Sequence, residues 1–168
     1  LTDTILEQAG KFAEQEIQPL NYPGHEEGCH WENGKVTTPK GYKEAYKKYI
    51  DSGWTQISEN PAYGGQGLPR IINAAIGEMN LSACAAFGIY VTRDGSIAAL
   101  ENNASKALKD TYSPKIIEGN CGGPICMTEP HYGTDLRLLR TKAEPHTNGG
   151  YCISATKLVI TGGEAGLS

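Results

Sequence analysis

The hydrophobic pattern of this chain changes its period once, and the change divides the chain into two parts. Up to about residue 120, apolar residues recur at intervals of three and four, as on the buried face of a helix. Beyond Gly122 and Gly123 they alternate, and two runs with strand character, 136–144 and 151–160, flank a turn. The sequence therefore predicts an α+β chain. An N-terminal all-α helical bundle domain spans residues 1–120, and an antiparallel β domain begins over residues 121–168.

A β domain of this length is expected to be incomplete. Two or three strands rarely form a stable sheet by themselves. We therefore expect the β domain to continue beyond residue 168.

Local signals predict the ends of the first two helices. An amphipathic helix over residues 3–20 is expected to stop at Pro19 and the Asn-Tyr-Pro-Gly turn at 21–24, and residues 21–37 are expected to form a polar loop. The second helix is predicted to begin with Thr38 as its N-cap and to end at Gly53.

The later helices are predicted in the same way. Pro69 is expected to open a third helix, whose inward face is predicted to carry Ile71, Ile72, Ala75, Ile76 and Met79. The small residues of 81–101 indicate tightly packed helices or a helix beside a ligand cavity. A further helix is predicted over residues 104–112, and a short one with Ser113 as its cap.

Composition excludes several classes of function. Fifteen lysines and arginines stand against 19 acidic residues, a net charge of −4, which gives no reason to expect nucleic acid or an anionic membrane as a partner. No apolar run approaches the roughly 20 residues of a membrane helix. The five scattered cysteines include no C-x-x-C pair, which favours reduced thiols and a cytoplasmic protein.

Two weaker motifs have a functional and a structural interpretation. The glycine-rich segment 64–67 before a helix could cradle a phosphate, but it lacks the Lys-Ser/Thr of a P-loop, so a turn is favoured. His25, Cys29 and His30 have zinc-compatible chemistry, but no fourth ligand is evident, so a solvated acidic loop is favoured. No nucleophile motif is present.

The segment 126–135 has the strongest chemical signal. Residues 124–127 are predicted to form a short buried strand that breaks at Pro130 into a loop. Thr128 and Thr134 offer hydroxyls there, and Gly133 allows close approach to the backbone. These residues are compatible with a ligand site built from neutral donors and with a purely structural transition from strand to loop.

Two motifs, taken together, resemble the acyl-CoA dehydrogenase family. The first is Met127-Thr128-Glu129-Pro130-His131-Tyr132-Gly133-Thr134-Asp135, and the second is Ala155-Thr156-Lys157-Leu158-Val159-Ile160-Thr161-Gly162. Gly53-Trp54 and the segment 63–69 follow the family's order as well, so the resemblance covers nearly the whole chain. The form of the first motif and the long acidic loop 25–33 most resemble the 3-methylmercaptopropionyl-CoA dehydrogenase branch.

The resemblance implies a helical N-terminal domain, a middle β domain and a C-terminal helical domain, with FAD between the last two. The first motif would line the FAD, and the second would flank its isoalloxazine ring, with the Thr161 hydroxyl near N5. The implied cofactor-binding residues are Ile125, Cys126, Met127, Thr128, Gly133, Thr134, Val159, Ile160 and Thr161. Thr134 would also reach the substrate, and Tyr90 and Arg93 would line the acyl pocket.

The resemblance also has departures and a gap. Val159 replaces the family's usual aromatic residue, and Ala155 replaces a turn glycine. The family's catalytic base is a glutamate of the C-terminal domain, so no catalytic residue is expected in this chain. Glu129 matches a structural position of the family and is not expected to be the base.

The implied reaction is oxidation of an acyl-CoA to the trans-2-enoyl-CoA, with removal of the α-proton and transfer of the β-hydride to flavin N5. An electron-transfer flavoprotein or similar carrier would accept the electrons, and the full-length protein is expected to be a homo-oligomer. Two alternatives stay open: a non-catalytic binding or interaction module of the same fold, and an acyl-CoA oxidase or flavin monooxygenase-like relative.

Overall fold

The computed structural model describes residues 1–92 and 94–162, and its elements are mostly helical. The helices are α1 (Thr2–Phe12), α2 (Gln18–Glu27), α3 (Tyr42–Asp51), α4 (Arg70–Ala83), α5 (Ala85–Val91), α6 (Asp94–Asn103) and α7 (Lys106–Ile117). The strands are β1 (His30–Glu32), β2 (Lys35–Thr37), β3 (Lys142–Pro145) and β4 (Tyr151–Ser154). Short 3-10 turns cover Trp54–Gln56, Pro61–Tyr63 and Leu136–Leu138.

The first helix is longer than its sequence predicts. A π-helical turn, Ala13–Ile17, connects α1 directly to α2, so the helical path continues to Glu27. The expected stop at Pro19 and the expected turn at 21–24 are both wrong, because α2 runs through these residues. Pro19 is the second residue of α2 and directly follows the π-helical turn. Packing also favours the helix, because Gly24 is buried against the ring of Tyr42 on α3.

The region between α2 and α3 is not the predicted loop. After α2 the chain forms a hairpin in which β1 pairs antiparallel with β2, and Trp31 lies opposite Val36. Helix α3 begins at Tyr42 behind Gly41, so Thr38 is not its N-cap. The predicted end is right, because Gly53 adopts a left-handed conformation one residue beyond the C-cap.

Two further predictions in the helical part are wrong. Ile71 is 76% exposed and not inward, whereas Ile72 and Ile76, which are also predicted to face inward, are buried as expected. Ser113 caps no helix. It lies buried inside the single helix α7, which is capped by the side chain of Ser105.

The helices enclose three groups of buried side chains. The largest surrounds Phe87 and Ile17 and includes tyrosines 42 and 49 of α3. The second joins α1 to α4 through Ala9 and Ile76, and the third joins α6 to α7. Since Trp54 packs against the first two groups, the helical part shares one continuous interior over α1–α5.

The part after α7 has less regular structure than predicted. The expected buried strand over residues 124–127 is absent: these residues belong to no helix or strand, and Ile125 is 59% exposed. Of the two predicted strands, only Lys142–Pro145 and Tyr151–Ser154 pair, in an antiparallel register. Within the described residues of this part, no third strand joins them. An isolated apolar run does not become a strand without a neighbour to satisfy its backbone groups.

Two helical glycines provide a matched test of the packing. A Cβ at Gly24 would lie 2.6 Å from the Tyr42 hydroxyl, whereas a Cβ at Gly77 would meet no atom within 4 Å. Gly24→Ala should therefore lower the free energy of unfolding by about 1–3 kcal/mol. Gly77→Ala should leave it unchanged or raise it by up to about 1 kcal/mol, because alanine favours the helix. Urea unfolding of both variants measures the difference. Equal effects would contradict the packing of α2 on α3.

Candidate functional site

A tight turn at Glu129–Tyr132 organises the first motif. The backbone N–H of each residue donates to the carbonyl of the other, at 3.3 and 3.1 Å. Tyr132 is buried, and its hydroxyl donates to the Met127 carbonyl at 2.9 Å. The turn therefore folds back on the segment that precedes it.

The Glu129 carboxylate lies at the centre of the site and is only 4% exposed. It accepts hydrogen bonds from the amides of Arg140 and Thr141 at 3.0 Å, from the Thr141 hydroxyl at 2.5 Å and from the Lys157 ammonium at 2.9 Å. The His131 ring lies 3.6 Å away. Hydrogen bonds, led by that of the Thr141 hydroxyl, outweigh desolvation and lower the pKa of Glu129 to about 2.

These contacts define the Glu129 cluster: Glu129, Tyr132, Thr141 and Lys157. A carboxylate with four hydrogen-bond donors and a pKa near 2 is a poor acceptor for a substrate proton. The geometry supports a structural role for Glu129.

The cluster joins the two sequence motifs. Lys157, whose side chain is 13% exposed, also donates to the Met127 carbonyl at 3.1 Å. The Leu158 amide donates to the Thr128 carbonyl at 3.0 Å. Residues about 30 positions apart in sequence therefore lie side by side.

The joined segments present an apolar surface to solvent. Ile125, Met127, Val159 and Ile160 are 59, 42, 85 and 37% exposed. Val159 has φ +48°, which is strained for a β-branched residue. Exposed apolar side chains and local strain together are typical of a surface that contacts a ligand or a further element.

Two clefts border the segment 122–126. One, of about 340 Å³, lies against α5 and brings together Tyr90, Ile125, Val159 and Thr161. The other, of about 720 Å³, lies against α6 and α7 and is lined partly by Ile125, Cys126 and Ile160.

The approach of this segment to α6 depends on Gly123. The Ser96 hydroxyl donates to the Gly123 carbonyl, and a Cβ on Gly123 would overlap the Ser96 side chain. Glycine at this position therefore permits the two clefts to form where they do.

Some predicted site residues lie elsewhere. Met127 and Thr128 contact the second motif but line neither cleft. Gly133 and Thr134 are exposed in the loop after the turn, and a Cβ on Gly133 would meet nothing within 4 Å. Arg93 lies outside the described residues.

The turn interpretation of residues 64–67 is confirmed. Their amides and that of Leu68 donate to carbonyls of the chain itself, for example Gln66 to Gln56 at 2.8 Å and Gly67 to Glu59 at 2.9 Å. They are therefore not available to a phosphate. In the described ranges, no three His, Cys, Asp or Glu side chains are grouped to hold a metal ion. Over the same ranges, no helix combines the length and apolar character needed to cross a membrane.

Sequence reasoning missed the partners of Glu129. In the sequence, Lys157 is recognisable only as part of a motif, and no pattern marks Thr141 or Tyr132 as its neighbours. The available signal was one lysine inside an apolar run, paired with one glutamate in the other motif.

The low pKa of Glu129 makes its contribution to stability dependent on pH. A carboxyl group whose pKa falls from 4.5 to about 2 on folding contributes stability above pH 4.5 and loses it as the pH falls through about 2. Glu129→Gln should therefore lower the free energy of unfolding at neutral pH, and its difference from wild type should vanish near pH 2. Urea unfolding across this range measures it.

Glu7→Gln is the control, because it removes an exposed carboxylate paired with Lys11 at 2.7 Å and should change stability much less. Equal losses in both variants, or a Glu129→Gln loss that persists at acid pH, would contradict the structural role of Glu129.

Comparison with known proteins places the fold and the motifs in a family. Residues 2–120 match the model of the acyl-CoA dehydrogenase N-terminal domain. The chain is 42% identical over 164 residues to 3-methylmercaptopropionyl-CoA dehydrogenase of Ruegeria pomeroyi, covering 97% of this chain and 28% of that protein. It is 30% identical to a butyryl-CoA dehydrogenase of Syntrophomonas wolfei, covering 99% of this chain and 28% of that protein.

Solved structures agree with the fold. Butyryl-CoA dehydrogenase from Megasphaera elsdenii superposes with a TM-score of 0.79 at 22% identity, covering 98% of this chain and 42% of that one. An acyl-CoA dehydrogenase complexed with FAD from Bacillus anthracis gives 0.74 at 21% identity, covering 95% of this chain and 26% of that one. The α+β fold prediction is therefore confirmed. The chain spans 28% of the length of the two curated relatives and belongs to the acyl-CoA dehydrogenase family.

Proposed function

We propose that this chain forms the N-terminal helical domain and the beginning of the β domain of an FAD-dependent acyl-CoA dehydrogenase. The complete enzyme, which would add a C-terminal helical domain, oxidises an acyl-CoA to the trans-2-enoyl-CoA. One observation carries the proposal: the Glu129–Lys157 pair holds the two motifs together, and Val159 of the second motif borders one cleft beside α5 with Ile125, which lies two residues before the first motif.

The residues present fit one wall of a flavin site. Ile125 and Val159 offer apolar surface to the face of an aromatic ring, and the hydroxyl of Thr161 offers a neutral donor to its polar edge. The nearby lysine, Lys157, is already paired within the Glu129 cluster. The proposed FAD-binding residues are Ile125, Cys126, Met127, Thr128, Gly133, Thr134, Val159, Ile160 and Thr161.

Flavin, when bound, supplies the acceptor for the substrate's β-hydride. The residues of this chain bind and orient. The apolar lining of the cleft keeps water from the reacting carbons, and a hydroxyl donor such as that of Thr161 stabilises negative charge on the ring. The base that removes the α-proton is proposed to be a glutamate of the C-terminal domain.

The substrate is proposed to enter the cleft beside α5. Tyr90 lines it, and its ring packs against Tyr46 at 5.4 Å between centroids, which gives the wall a fixed shape. Thr134 and Arg93 complete the proposed substrate contacts. An electron-transfer flavoprotein would accept the electrons, and the complete enzyme would be a cytoplasmic homo-oligomer, in keeping with the five free thiols of this chain.

Flavin content tests the proposal. The complete enzyme should hold stoichiometric FAD that is bleached by an acyl-CoA under anaerobic conditions. The 168-residue chain alone should hold little or none, because it provides only one wall of the site. Absorbance spectra of both proteins measure this. Stoichiometric FAD in the short chain would show that the proposed further domain is not needed, and a complete enzyme without FAD would favour a binding module.

Reaction with oxygen separates the dehydrogenase from an oxidase. After anaerobic reduction, the proposed dehydrogenase should reoxidise slowly in air and quickly with an electron-transfer flavoprotein. Rapid reoxidation with release of peroxide would favour the oxidase.

Substitution of Tyr90 tests the position of the substrate. In the complete enzyme, Tyr90→Ala removes an aromatic wall and should raise KM for acyl-CoA roughly tenfold. Tyr22→Ala, which removes an aromatic side chain that is 71% exposed on α2, is the control and should leave KM unchanged. An unchanged KM for the Tyr90 variant would place the acyl group elsewhere.

A further inference from the structure

We propose that Lys157, Glu129 and Tyr132 act as positioning residues for the flavin. They hold the Met127–Thr128 peptide in one orientation and keep the two flavin-binding motifs in one register. This inference rests on the proposed function and assigns roles to residues that make no contact with the flavin themselves.

The Met127 carbonyl is held by two donors. The Tyr132 hydroxyl donates to it at 2.9 Å and the Lys157 ammonium at 3.1 Å. A carbonyl oxygen has two lone pairs, so both of its acceptor positions are used. Rotation of this peptide would break two hydrogen bonds at once, one of them charge-assisted.

Fixing that carbonyl fixes the amide of the next residue. The peptide is planar and trans, so the Thr128 N–H points away from the Met127 oxygen and from the two donors that hold it. Across the described part of the chain, the Thr128 N–H has no hydrogen-bond partner. It is therefore an oriented donor that remains available to a ligand.

The second motif is held by the same lysine. Lys157 bonds to the first motif, and the next residue, Leu158, donates its amide to the Thr128 carbonyl at 3.0 Å. Val159 follows directly in its strained left-handed conformation. The position of Lys157 therefore determines where the apolar side chain of Val159 and the Thr161 hydroxyl lie relative to Thr128.

The Glu129 cluster holds the two motifs in position without adding net charge to the site. The ammonium of Lys157 lies 2.9 Å from a carboxylate oxygen of Glu129, and both side chains are largely buried. Removing only Lys157 would leave a buried carboxylate with one donor fewer. A double substitution, Glu129→Gln with Lys157→Met, removes the contacts while keeping the balance of charge, and so separates position from electrostatics.

The experiment uses the complete flavoenzyme. Lys157→Met keeps the length of the side chain but donates to neither acceptor, and Lys157→Arg keeps donors. Arg137→Met is the matched control, because Arg137 makes an exposed bidentate pair with Asp135 at 2.9 and 3.0 Å in the same loop. Three quantities are measured: the dissociation constant for FAD, the reduction potential of the FAD-saturated enzyme, and the melting temperature.

Lys157→Met should raise the dissociation constant for FAD roughly tenfold, because FAD binding would then have to restore the orientation of the Met127–Thr128 peptide that Lys157 now holds. The reduction potential of its saturated form should fall, because donors that stabilise the reduced ring are misplaced. The double variant should show both effects, and Lys157→Arg should restore most of the affinity. Arg137→Met should stay within about twofold of wild type.

A lower melting temperature with unchanged FAD affinity and unchanged potential would overturn the proposal, because the pair would then only stabilise the fold. If Lys157→Met does not fold, Tyr132→Phe provides the test, since it removes one hydroxyl donor from Met127 and should raise the dissociation constant roughly threefold. An unchanged constant in that variant would likewise overturn the proposal. Wild-type enzyme that takes up no FAD would overturn the proposed function itself. Wild-type enzyme that binds FAD, together with variants of unchanged affinity, would overturn only the positioning role.

Discussion

A single buried carboxylate determines the shape of the part of the chain that follows the helices. Glu129 is 4% exposed, and a charge so placed is tolerated only when hydrogen-bond donors surround it. The donors come from the amides of Arg140 and Thr141 and from Lys157, so three separate segments must meet. A two-stranded sheet gives little stability alone. The described residues after α7 therefore depend on this polar centre more than on β pairing.

Helices could be predicted from the sequence wherever residues adjacent in the chain determine them. A repeat of three and four identifies α1 and α4, and Gly53 marks the end of α3, because both signals lie in adjacent residues. The predictions from Pro19 and Thr38 are wrong, because proline and capping rules describe isolated segments and not segments packed against neighbours. In the structure α2 continues to Glu27, and Gly24 within it packs closely against Tyr42 of α3.

The site was accessible from sequence only in part. Family motifs identified Ile125, Val159 and Thr161, and the structure places them around one cleft with Tyr90, which lies 35 residues earlier in the chain than Ile125. The pairing of Glu129 with Lys157 was not predicted, because a single contact across 28 residues leaves no periodic signal. The unpaired segment 124–127 shows the same limit, since an apolar run specifies burial but not its partner.

The π-helical turn at Ala13–Ile17 limits how the length of this protein can vary. The wider turn holds an extra residue, which rotates the helix before it by about 100° relative to the helix after it. Ala9 can therefore face Ile76 while Ile17 faces Phe87. A one-residue deletion there would turn one of these faces away from its core, whereas the exposed turn between β1 and β2 would absorb the same change. Natural length variation should therefore accumulate in the hairpin and be rare in the first helix.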